Sequence, residues 1–223
     1  MNAASTLAYN LRNTTVRKYP FPHFFAEDVF PYDFYDELLT SLPPASDYST
    51  GKSNYNGRLF ADPSEAQELE FMKTHAFMVH VLNLFSTWHS SRYASNPAPE
   101  FFTDLRFIRD GKGYKIGPHT DAPWKVVSLL FYLPKDYSLQ ELGTSIYVSK
   151  DPTFLCNGGP HYPFEQFERV FTAPFQPNSC TGFYKTANSF HGVEPITIPC
   201  TRDVLLYNIY DKQIYDKCHT PKV

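Results

Sequence analysis

Between Gly113 and Leu133 the chain reads GYKIGPHTDAPWKVVSLLFYL, and no other stretch constrains its fold as much. The run VVSLLFYL has strand length, is rich in β-branched and aromatic residues, and stops at Pro134. Just before it stand His119 and Asp121, two residues apart. Residues i and i+2 of an extended strand point to the same face, so a histidine nitrogen and a carboxylate oxygen can converge on one point there. That is two-thirds of a metal site. The best candidate for the third ligand is His191, in the strand-like NSFHGVEPI. Two histidines and one carboxylate on one side of a metal leave the opposite positions open.

The chain's 223 residues fit one domain, residues 1–223, long enough to bury a full core. Apolar residues make up 42% and charged residues 19%, an ordinary globular balance, while 20 Phe and 16 Tyr favour a sheet-rich interior. With 20 Lys and Arg against 23 Asp and Glu, and no basic run, nucleic acid is not expected as a ligand. The opening MNAASTLAYNLRNTT lacks an apolar core of secretory length, and Val126 to Leu133 is too short to span a bilayer. A cytoplasmic protein without membrane contact is expected. Cys156, Cys180, Cys200 and Cys218 are widely spaced with no C-x-x-C pair, so no zinc ribbon or thioredoxin-like motif is present and reduced thiols are expected.

Residues 1–100 are expected to form a helical support region. The segment through YPFPHFFAEDVFP reads as an irregular arm leading to a short edge strand near Phe24 and Phe25, with His23 as a packing or surface residue. PYDFYDELLTSLPP places Phe34, Leu38 and Leu42 one helical face apart between prolines, which predicts a short amphipathic helix. A strand at Arg58 to Phe60 precedes DPSE, where Asp62 reads as an N-cap, Pro63 as the first helical residue and Glu65 as its capping-box partner. The spacing of Phe71, His75, Met78, Leu82, Phe85 and Trp88 or His89 predicts a long helix or helix pair packed on a sheet. His75, His80 and His89 are explained by that stripe as packing or solvated residues.

From Phe101 the texture becomes β, with strands expected at FFTDLRFIRD, Tyr114 to Thr120, VVSLLFYL, TSIYV, Ser179 to Tyr184, Phe190 to Glu194 and Arg202 to Ile209. Residues 149–177, rich in Pro, Gly and aromatics, read as a long loop covering an active-site mouth, with at most a turn or two of helix near Phe164 to Val170. The fold class is therefore mainly β with N-terminal helices. A double-stranded β-helix, or jelly roll, over residues 101–210 with helices packed outside lets distant inward residues meet.

Arg202 opens TRDVLLYNI, whose alternation places Arg202, Val204 and Leu206 on one face. An inward arginine among apolar residues needs an anionic partner, and its planar fork fits a carboxylate. His119, Asp121, His191 and Arg202, in HTD, SFHGV and TRD, resemble the ordered signature of the Fe(II)- and 2-oxoglutarate-dependent dioxygenases, the prolyl-hydroxylase-like branch in particular. The resemblance spans Arg106 to Ile209, and FPHFFAEDVFP followed by a helix resembles that branch's lead-in. It implies that His119, Asp121 and His191 hold Fe(II), that 2-oxoglutarate and O2 take the open positions, and that Arg202 binds the distal carboxylate. Tyr132 in LLFYLP matches a strand tyrosine that shares this carboxylate; the alternative is a tyrosine packed in the barrel wall. Thr144 is a further cofactor-binding candidate, and Arg109 and Lys125 are candidates for cosubstrate or substrate contact, with surface solvation as the alternative.

Arg109 also occupies the place where prolyl hydroxylases often carry a tyrosine, a departure that points away from a peptidyl-proline substrate. Related halogenases have a small residue where this chain has Asp121, so the resemblance implies hydroxylation or another oxidation, with release of succinate and CO2. A small-molecule or amino-acid-like substrate is expected, with a protein side chain such as prolyl as the alternative. Two other classes stay open: a cupin-like metalloenzyme without 2-oxoglutarate, and a jelly-roll binding domain with incidental histidines. Oligomeric state is not legible in the sequence.

Overall fold

Three long strands with two different faces set the architecture. β3 (Phe101–Gly111), β5 (Lys125–Tyr132) and β10 (Thr201–Asp211) lie side by side, β10 in the middle and antiparallel to both. On β10, Leu205, Tyr207 and Ile209 join an apolar cluster with the helices, while Val204 faces the opposite way. β5 divides likewise: Val127, Leu129 and Phe131 turn to the helices, Ser128, Leu130 and Tyr132 away from them. The computed structural model describes residues 2–50, 56–63, 66–96 and 98–220.

These strands belong to a six-stranded sheet completed by β1 (His23–Ala26), β2 (Arg58–Ala61) and β8 (Ser179–Tyr184), in the order β1-β8-β5-β10-β3-β2. A four-stranded sheet, β4 (Ile116–His119), β9 (His191–Val193), β6 (Ser145–Ser149) and β7 (Phe167–Thr172), runs in the order β4-β9-β6-β7. Ile108, Tyr132 and Val204 of the large sheet pack with Ile116 and Val193 of the small one, so the two sheets face each other over a second core. All the strand pairs are antiparallel, and the expected β architecture with outer helices is observed.

The helices of the N-terminal hundred residues cover the outer face of the large sheet. α1 (Ala3–Arg12) is a helix where the sequence suggested an irregular arm; Asn2 caps it by accepting from the Ser5 amide at 2.9 Å. Leu7 and Leu11 are fully buried, each contributing roughly 1.5–3 kcal/mol. α2 (Tyr32–Thr40) follows Pro31 as expected. The helical stretch after Asp62 starts later than DPSE suggested, as a 3-10 helix at Gln67–Lys73 followed by α3 (His75–Leu84), capped by the Thr74 hydroxyl on the Phe77 amide. Glu65 lies outside the described residues. α3 gives way at Phe85 to α4 (Ser86–Arg92), and α5 (Lys212–His219) follows β10, capped by Asp211. Within residues 149–177 a 3-10 turn at Phe164–Gln166 leads directly into β7 rather than into helix. No helix among the described residues is long and apolar enough to cross a membrane.

Candidate metal centre

β4 and β9 pair so that His119 lies directly across from His191, with ring centroids 4.4 Å apart. Asp121 follows two residues after His119, and its Oδ1 is 3.9 Å from His191 Nε2. One ligand atom from each of the three lies within 4.8 Å of the others, and all three residues are buried. The Nδ1 of His119 is 2.9 Å from the Gly117 carbonyl and that of His191 3.0 Å from the Ser189 carbonyl. A carbonyl can only accept, so Nδ1 carries the proton in both rings and each Nε2 presents a lone pair to the centre.

Burial, reinforced by His191 against the opposing pull of Asp121, holds His119 well below the usual imidazole range, and burial likewise lowers His191. Both rings are therefore neutral at physiological pH. Burial alone would raise the Asp121 carboxyl. The Lys125 ammonium, then the two histidines, outweigh it and hold the group below the usual carboxylate range. Lys125 Nζ donates to Asp121 Oδ1 at 2.9 Å and Ser128 Oγ to Oδ2 at 2.8 Å. The Asn208 amide lies 3.0 Å from the same hydroxyl, and one hydroxyl proton cannot serve both, so the assignment that satisfies all three turns the Asn208 NH2 toward Ser128.

A cavity of about 250 Å³ opens between the sheets in front of this triad, with Ser128, Asn208 and Thr144 in its wall. Arg58, Arg106 and Lys125 line it against Asp104 and Asp121. With neutral histidines the lining therefore carries more positive than negative charge, which favours an acidic ligand.

The predicted cosubstrate residues come together behind one end of the cavity. The Tyr132 hydroxyl accepts from the Thr144 amide at 2.9 Å, and the Arg202 guanidinium lies 5.6 Å from the Tyr132 ring centroid. Of the three, Thr144 lines the cavity. Arg202 is fully buried and already has a carboxylate: its Nη1 donates to Asp110 Oδ2 at 2.7 Å, its Nε to the Leu142 carbonyl at 2.5 Å, and its Nη2 reaches Thr144 Oγ1 at 3.5 Å. Asp110 is shared with Arg58, which grips it in a two-point fork at 2.6 and 2.8 Å and stacks 4.2 Å over Tyr114. Arg109 is placed elsewhere: it pairs with Asp203 at 2.7 Å and stacks on Tyr48, opposite in strand parity to cavity-lining Asp104, Arg106 and Ile108.

Sequence reasoning missed Ser128, Asn208, Asp110 and Arg58 as members of this site. The first two had a signal, since each is the lone polar residue inside an otherwise apolar strand run. The segment 149–177 is docked directly on β4. The Tyr162 amide donates to the Pro118 carbonyl at 2.9 Å, and a Cβ on Gly117 would come within 2.4 Å of the Tyr162 carbonyl oxygen. This brings the His161 ring within 4.6 Å of the His119 ring, centroid to centroid.

Among solved structures the chain is similar to a Trichoplax adhaerens prolyl hydroxylase in complex with a hypoxia-inducible-factor peptide fragment (13% identity, 98% of this chain and 93% of that one, TM-score 0.55). It is similar to a Pseudomonas putida prolyl-4-hydroxylase (14% identity, 94% and 98%, TM-score 0.53). It also resembles HygX from Streptomyces hygroscopicus with nickel, 2-oxoglutarate and hygromycin B bound (10% identity, 85% and 83%, TM-score 0.53). No family model and no curated protein matches the sequence. The fold is that of the Fe(II)- and 2-oxoglutarate-dependent oxygenases, with the prolyl hydroxylases among its neighbours.

Proposed function

We infer that the chain is an Fe(II)- and 2-oxoglutarate-dependent oxygenase that hydroxylates a C–H bond of a small molecule or amino-acid-like group. The observation that carries this reading is the convergence of two neutral imidazole nitrogens and an ionised carboxylate beside a cavity with a basic wall. This donor set fits a divalent metal bound on one side, and iron with 2-oxoglutarate and O2 supplies oxidation of the substrate with release of succinate and CO2. His119, Asp121 and His191 would hold the metal. Lys125 and Ser128 fix the Asp121 carboxylate in orientation. Thr144, with Arg202 and Tyr132 behind it, offers the polar end for a distal carboxylate, while Ile116, Leu130, Val193 and Leu206 keep the cavity apolar between. In this reading residues 1–100 support the core of residues 101–210, and residues 149–177 cover the site.

A second reading, a cupin-like metalloenzyme without 2-oxoglutarate, is favoured by one observation. Arg202, the expected cosubstrate anchor, already spends its charge on Asp110. Anaerobic titration of the Fe(II)-loaded protein with 2-oxoglutarate separates the two. A visible charge-transfer band is expected, absent in Asp121→Ala and His191→Ala, and in Arg202→Ala requiring at least about tenfold more 2-oxoglutarate, equivalent to 1.4 kcal/mol. Tight iron binding with no band would establish the cupin-like reading instead.

A further inference from the structure

A second cavity, of about 510 Å³, lies away from the triad in the seam between α4, the end of β8, the segment after Asp121 and α5. Trp88, Arg92, Pro123, Tyr184, Lys185 and Ile214 form its wall, and no Asp or Glu lines it. Lys185 is 5% exposed, and its ammonium donates to the neutral amide oxygen of Asn157 at 2.8 Å. Arg92 donates to the carbonyls of Lys125 and Pro123, each at 3.1 Å. Neither cation forms an ion pair among the described residues.

Elsewhere the chain neutralises its enclosed cations: Arg202 and Arg58 share Asp110, Arg109 takes Asp203 and Lys125 takes Asp121. A buried ammonium whose hydrogen bond goes to a neutral amide is costly, and burying it beside a second cation more so. The strain is visible in the lysine itself. Burial first and the Arg92 charge second pull its pKa down to about 8, which still leaves most of it protonated at neutral pH.

We propose that this cavity is a phosphate-binding site, in which Lys185 and Arg92 hold a dianionic phosphoryl group and Trp88 and Tyr184 wall its organic part. Two cations that form no ion pair among the described residues call for a dianion, and a phosphate or phosphate monoester provides one with three oxygens to share between them. The sequence hides the site because its cations come from a helix and a strand end far apart in the chain, so no basic run marks it.

Isothermal titration of the full chain in the presence of a chelator tests this, with inorganic phosphate and phenyl phosphate as probes. Saturable binding of both is expected, tighter for phenyl phosphate if the aromatic wall takes an organic group and equal if the site serves free phosphate. Lys185→Met should weaken binding at least about tenfold, equivalent to 1.4 kcal/mol, without lowering the thermal midpoint, because it removes an unpaired buried charge. His119→Ala should bind phosphate as the wild type does. No saturable heat up to about 10 mM phosphate would overturn the proposal, since a dissociation constant above that is not a site in this sense. Undiminished binding in Lys185→Met, or lost binding in His119→Ala, would overturn it too, the latter by locating the ion at the triad.

Discussion

Asp110 shows how much one buried residue can organise. It is fully enclosed and receives guanidinium groups from two strands, Arg58 on one side and Arg202 on the other. Replacing it by Asn would leave the buried Arg202 and the partly buried Arg58 facing a neutral amide, so Asp110→Asn should cost about 3–5 kcal/mol in urea unfolding at neutral pH. A loss below about 1 kcal/mol would mean that the carboxylate is not what holds the two arginines. Lys185 makes the complementary case, a cation with no such partner. Its folded pKa of about 8 lies below its ordinary 10.5, so the ammonium is charged below pH 8 and loses its proton above it. Phosphate affinity should therefore fall as pH rises through about 8, while the stability lost by burying the charge returns between there and 10.5. The groups facing Lys185 are Arg92 from α4, Asp121 from the segment after β4 and Cys156 from the segment after β6, so the pH series belongs in a Cys156→Ser background. An affinity flat from pH 7 to about 9.5 would exclude Lys185 as the anchor. The candidate triad was legible at this scale from the closeness of His119 and Asp121 in sequence, although β4 ends at His119 and Asp121 reaches the centre from the turn that follows rather than from the same strand. The partners of Arg202 were not, because Asp110 becomes its neighbour only through the β3–β10 register.

At the scale of elements, the close docking of residues 149–177 on β4 rests on a missing side chain. A Cβ at Gly117 would meet the Tyr162 carbonyl, a backbone atom that cannot swing aside. Gly117→Ala should destabilise by about 1–3 kcal/mol and speed amide exchange at Tyr162, while amides of β5 and β10 keep their protection. Unchanged exchange at Tyr162 would show that the segment is held by its aromatic cluster of Phe154, Tyr162, Phe167 and Phe190 alone. The long inner strands were readable from alternation, since each has one wet or polar face and one dry one. β7 was not, because Glu168, Arg169 and Val170 are all exposed on an edge strand and leave no period to read. α1 escaped because only Leu7 and Leu11 are buried along its ten residues, too sparse a stripe to separate from a polar arm. The helix start was misplaced because Thr74, next to the α-helix proper, caps it in preference to Asp62.

Across the whole molecule the large sheet is a partition between two interiors of different character. Helices seal its outer face with a continuous apolar cluster, and the opposite face, closed by the small sheet, holds the triad and its charged cavity. β10 runs down the middle and contributes to both, with Leu205, Tyr207 and Ile209 on the dry side and Leu206, Asn208 and Tyr210 on the other. For anyone altering this protein, a single strand thus offers two independent dials. Changes at 206 and 210 can reshape what the cavity admits while the melting temperature stays put, and changes at 205, 207 and 209 can tune thermal tolerance while selectivity is left alone.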